Sequence, residues 1–116
     1  MKFVVELINA DKFVCDSMEE AVSLAHDKDD IAFIDIEYED GAEISIEYEK
    51  GKPVKFMYFG ENHTLKIIKS FDKWIISNRN ETRAISLDSL IFLLGFVDNR
   101  LVEVVKNEVM KRGEKS

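Results

Sequence analysis

Residues 31–49 read IAFIDIEYEDGAEISIEYE, with apolar and polar positions alternating on both sides of Asp40-Gly41. Within Ile31–Glu39, the side chains of Ala32, Ile34, Ile36 and Tyr38 point one way and those of Phe33, Asp35, Glu37 and Glu39 the other. Within 42–49, Ala42, Ile44, Ile46 and Tyr48 oppose Glu43, Ser45, Glu47 and Glu49. A period of two marks strands of an antiparallel sheet with one buried and one wet face. The turn between them must keep the two apolar faces together. A two-residue turn at Asp40-Gly41 sets Tyr38 opposite Glu43 and mixes the faces, which register parity forbids. A three-residue loop over 39–41 instead pairs Tyr38 with Ala42, Ile36 with Ile44 and Ile34 with Ile46. It also puts Gly41 at the position that needs positive φ.

The same reading applied to Glu49-Lys50-Gly51 pairs Ile46 with Val54, Ile44 with Phe56 and Ala42 with Tyr58. The repeat of Ile36-Glu37-Tyr38-Glu39-Asp40-Gly41 in Ile46-Glu47-Tyr48-Glu49-Lys50-Gly51 does not continue, so it is one hairpin solution used twice, not a solenoid. Working outward, 2–8, 13–15, 64–69, 73–77 and 82–85 carry strand-forming residues between turn signals. Ser17-Met18-Glu19-Glu20 is a capping box, and behind it Met18, Ala21, Val22, Leu24 and Ala25 form an apolar stripe, predicting a helix over 18–27. Ser86 is placed to cap a helix over 87–94, with Gly95 beyond its end, and a last helix is expected over 98–112. The expected fold is α+β: an antiparallel β-meander of about five to six strands, with one N-terminal and two C-terminal helices packed on one face. A single domain over 1–116 is expected, its tail 113–116 frayed.

The net charge of −7 excludes the usual footprint of a nucleic-acid binder or an anionic-membrane binder, a basic patch. Residues 1–50 hold 15 acids against 4 bases, and residues 51–116 hold 8 acids against 12 bases. The expected partner is therefore a basic protein. A single cysteine, Cys15, rules out an intrachain disulfide. The N-terminus lacks an apolar signal-peptide core, and no apolar run approaches the ~18–20 residues that span a bilayer, so a cytoplasmic location is expected.

Asp35, Glu37, Glu43 and Glu47 fall on the wet face, with Glu37 and Glu43 as direct cross-strand neighbours. Like charges so placed cost up to roughly 1 kcal/mol, so these four residues are the candidate partner-binding set. A flat face splays its side chains, which argues against a metal site, and an exposed hairpin offers no pocket to raise a carboxylate pKa for acid-base work. His26 near a helix end and His63 in a turn have no HExxH or CxxC companions. Cys15 precedes a helix N-terminus, but Asp16, Glu19 and Glu20 oppose a thiolate there. No catalytic residue, metal ligand or cofactor is assigned. The run Leu90-Ile91-Phe92-Leu93-Leu94-Gly95-Phe96-Val97 is apolar on every side, which predicts core plus a patch for self-association carried by Leu90, Phe92 and Phe96.

The reading that follows is a non-catalytic acidic protein-binding module of the inhibitor, immunity, antitoxin or anti-defence kind, docking a basic partner. The alternative is a homodimeric structural or accessory subunit using the apolar helix over 87–97.

Overall fold

The alternation over 31–49 becomes two adjoining strands at the centre of a sheet. The structure, a computed structural model, describes residues 1–28 and 30–113, without the side chains of 112 and 113. The chain forms β1 (Lys2–Leu7), β2 (Lys12–Cys15), α1 (Met18–Lys28), β3 (Ile31–Glu37), β4 (Glu43–Glu49) and β5 (Lys52–Phe59). There follow β6 (Thr64–Ser70), β7 (Lys73–Ser77), β8 (Thr82–Ile85), α2 (Leu87–Leu94) and α3 (Asn99–Glu108), which runs into a π-helical turn at Val109–Gly113. The tail expected to fray lies outside the described residues, apart from the backbone of Gly113.

All strand pairs are antiparallel, in the order β2-β1-β3-β4-β5-β6-β7-β8. The sheet thus has eight strands, not the five to six expected. Each strand lies in a segment that reads as a strand in the sequence; the count rises because β1 pairs with β3 and brings β2 into the same sheet as the six strands that follow.

The first hairpin closes as read. Tyr38 N–H donates to the Ala42 carbonyl at 2.9 Å, and Gly41 has φ +91. Ile36 pairs with Ile44 and Ile34 with Ile46. The second hairpin corrects the expectation. Glu49 pairs with Lys52 and Tyr48 with Pro53 around a two-residue turn, after which the register slips and Ile46 faces Phe56 and Ile44 faces Tyr58. Lys50 (φ +52) and Gly51 (φ +79) both take positive φ, the requirement of a type I′ turn. Parity is then restored by a bulge that leaves Val54 unpaired. A two-residue turn and a one-residue bulge together do what a three-residue loop was expected to do.

Buried alternate residues of the strands, including Val5, Ile34, Ile36, Ile44, Ile46, Phe56 and Ile67, join one cluster with Ala21, Val22 and Ala25 of α1. Leu90 and Leu94 of α2, Leu101 and Val105 of α3 and Val109 complete it. Helix α1 lies against β1, β2 and β3, α2 against β7, and α3 with its π-helical turn against β5. Capping is local: Ser17 Oγ accepts from Glu20 N–H at 3.1 Å, Ser86 Oγ from Ser89 N–H at 3.2 Å, and Asp98 Oδ1 from Arg100 N–H at 2.9 Å.

Candidate functional site

The register fixes what lies on the face opposite the core. One cross-sheet row runs Val14, Val4, Asp35, Ser45, Met57, Lys66, Ser77, Thr82. The next runs Lys12, Glu6, Phe33, Glu47, Lys55, Ile68, Ile75, Ala84. A third holds Lys2, Glu37, Glu43, Phe59 and Thr64. Glu37 therefore stands directly opposite Glu43, with Asp35 one position along. Glu47 lies two rows from the Glu37–Glu43 pair, between Phe33 and Lys55, and so stands outside it. Asp35, Glu43 and Glu47 are half-buried and Glu37 is exposed. Burial first, and then the charges of Asp35 and Glu37, push the Glu43 carboxyl above its ordinary value.

Apolar side chains interrupt this polar face. Phe33, Met57, Ile68 and Ile75 are half-buried on it, and Phe59 is 38% exposed. The acidic group thus has an aromatic on either flank. Lys55 and Lys66 stand on the strands beyond it.

Three further arrangements escaped the sequence reading. Arg100 donates to both oxygens of Asp98, at 3.1 and 2.7 Å, and to Asp40 Oδ1 at 3.0 Å. Its guanidinium lies 4.5 Å over the Tyr38 ring, and the Tyr58 hydroxyl donates to Asp98 Oδ2 at 2.8 Å. The Arg100 bonds hold Asp98 down at about 2. This cluster ties the β3–β4 turn and β5 to the start of α3. Asp40 and Arg100 are 60 residues apart, and nothing local in the sequence signals the pair.

The second arrangement joins the Tyr48 hydroxyl to Glu108 Oε1 at 2.7 Å, with Glu108 only 3% exposed. A signal existed here: Leu101, Val105 and Glu108 share one helical stripe at spacings of four and three, so an acid sits where a core residue is expected. The third is a cleft of about 360 Å³ between α1, the β4–β5 turn and the π-helical turn.

The self-association set divides. Leu90 is fully buried in the core, whereas Phe92 and Phe96 are 68% and 78% exposed and meet edge to face at 5.4 Å. Cys15 is buried, and burial, then Glu20 and Asp16, raise its thiol pKa. His26 rests against Gly51, while His63 lies in the β5–β6 connection. Among the described residues, no group of three or more His, Cys, Asp or Glu is placed to hold a metal ion, and no helix is long and apolar enough to cross a membrane. The chain matches no known protein family, and no curated protein or solved structure is significantly similar to it.

Proposed function

We propose that this chain is a non-catalytic protein-binding module that docks a basic partner on the open face of its sheet, acting in the cytoplasm as an inhibitor or neutraliser. We take the three helices to cover the opposite face together, because their buried residues join one cluster with the core-lining strand residues. The observation that carries the reading is the cross-strand pair Glu37–Glu43 with Asp35 beside it. Folding does not reward such a pair; a cationic partner does, by neutralising it. The half-buried Phe33 and Met57, with Phe59, supply beside the charges the aromatic and methionine side chains that interfaces favour.

The test uses the partner recovered from the native host at low salt. Glu37→Lys/Glu43→Lys is expected to weaken its binding by about tenfold or more and to flatten the salt dependence of the association rate. Unchanged affinity in the folded variant would exclude this face.

A second reading, a homodimer, is favoured by the exposed Phe92–Phe96 pair. It requires a dimer mass by light scattering that Phe92→Glu converts to monomer; a wild-type monomer at high concentration ends it.

A further inference from the structure

The register sorts the charges of the open face by strand. Glu6 of β1, Asp35 and Glu37 of β3, and Glu43 and Glu47 of β4 make one half acidic, with Lys2 and Lys12 toward its outer edge. The other half carries Lys55 of β5, Lys66 of β6 and Lys73 of β7, and these three strands contain no acid. Phe33, Met57, Ile68 and Ile75 lie among the charges, each half-buried. Lys66 stands between Met57 and Ser77, and Asp35 between Val4 and Ser45, so neither has an opposite charge across the ladder.

A face with one acidic and one basic half is complementary to itself about a suitable two-fold axis. The axis lies between two stacked sheets, parallel to the strands and midway between β4 and β5. It sets β4 over β5 of the second copy and β3 over β6. Asp35 then faces Lys66 of the second copy, Glu47 faces Lys55, Phe33 faces Ile68 and Ser45 faces Met57. Glu43 and Glu37 face Phe59 and Thr64, so no like charges meet in these rows. An axis across the strands instead lays each strand on its own copy and sets acid against acid, which repulsion opposes. Packed sheets cross at about 30°, a shift of about one residue for pairs this near the axis, within the reach of a lysine. The area suffices: a face within extents of 35 × 34 Å offers on the order of 1,000 Å², against about 800 Å² per partner in a standard interface.

We infer that the open face closes on a second copy of the chain, the acidic half of each lying on the basic half of the other. The inference rests on the reading of this face as a docking surface and names its occupant when no basic partner is present. A basic partner then binds by displacing the second copy.

The test is the mass of the full chain by light scattering and sedimentation, with folding of each variant checked by circular dichroism. The wild type is expected to dimerise with a Kd below about 10 μM at low salt and more weakly at high salt. Asp35→Lys and Lys66→Asp are each expected to weaken the dimer by about tenfold or more. An equimolar mixture of the two variants should restore it, because each lysine then meets an aspartate across the axis. Lys66→Asp alone carries the test if Asp35→Lys does not fold. Phe92→Glu should leave the dimer intact. A wild-type monomer at about 1 mM, an undiminished Lys66→Asp dimer, a mixture of folded variants that stays monomeric, or a dimer lost in Phe92→Glu would each overturn the inference. Failure here is separable from failure of the docking reading. A wild-type monomer that still binds a basic partner through Glu37 and Glu43 overturns the self-docking alone, whereas a dimer restored by charge exchange supports it whether or not a basic partner is found.

Discussion

At the residue scale, the charged groups divide into those that the fold rewards and those that it tolerates. Arg100 belongs to the first kind: its planar fork serves two carboxylates while one face covers Tyr38. Arg100→Met removes these bonds and leaves Asp98, whose side chain is 13% exposed, with only the Tyr58 hydroxyl and the capped backbone. A loss of about 1–3 kcal/mol is expected in chemical denaturation. Glu43 belongs to the second kind. The two acids act oppositely with pH. Asp98 has its pKa lowered from 3.8 to about 2, so its stabilisation is full above pH 4 and is lost as pH falls toward 2. Glu43 is raised above 4.5, so its ionisation penalises the fold at neutral pH, and the penalty lifts as pH falls through its folded value. Melting temperature is therefore expected to rise slightly as pH falls from 7 toward the ordinary Glu43 value of 4.5, and to fall at lower pH as Asp98 is protonated. Glu43→Gln should be more stable than wild type at pH 7 and should reduce the rise; a variant less stable at pH 7 contradicts the assignment.

At the element scale, the two central hairpins share a hexapeptide pattern but not a turn. The first uses a three-residue loop with Gly41, the second a two-residue turn with Lys50 and Gly51 and a bulge behind it. The difference predicts unequal costs. A Cβ at Gly41 meets nothing within 4 Å, so Gly41→Ala carries only the strain of positive φ, about 1–2 kcal/mol. Gly51→Ala carries that strain and a collision with His26 as well, so it should cost more. Urea titrations of Gly51→Ala, His26→Ala and the double variant check this, because His26→Ala should recover the excess but not the strain. The Gly41 cost should be indifferent to His26→Ala.

At the scale of the whole molecule, the sheet order almost repeats the chain order. Seven strand spacings of about 4.8 Å make about 34 Å, in keeping with extents of 35 × 34 × 22 Å. The charge split along the sequence thereby becomes a split across the sheet, with β1–β4 and α1 on the acidic side. Central strands are paired on both edges, and their core residues Ile34, Ile44, Ile46 and Phe56 are fully buried, whereas β2 and β8 are short edges. Amide exchange should accordingly be slowest in β3, β4 and β5 and faster by orders of magnitude in β8, whose residues are mostly exposed. Uniform protection across all eight strands would contradict this.

The alternation over 31–49 was sufficient by itself to establish an antiparallel sheet, the first hairpin register and the Glu37–Glu43 pair. Period and parity are local properties, and a buried face admits one register. The helices were legible for the same reason, through caps and apolar stripes within a few residues. The β5 register was not legible, because a turn with a bulge and a longer loop both satisfy parity, and only the backbone of Lys50 and Gly51 chooses between them. Nor was the size of the sheet, since β1 reaches β3 across the whole of α1 and no local signal sets that pairing. The Arg100 cluster and the cleft beside α1 were beyond the sequence altogether, while the stripe of Leu101, Val105 and Glu108 marks a buried acid but not its partner Tyr48. Each joins residues distant in the chain, and their meeting is decided by how the helices settle on the sheet.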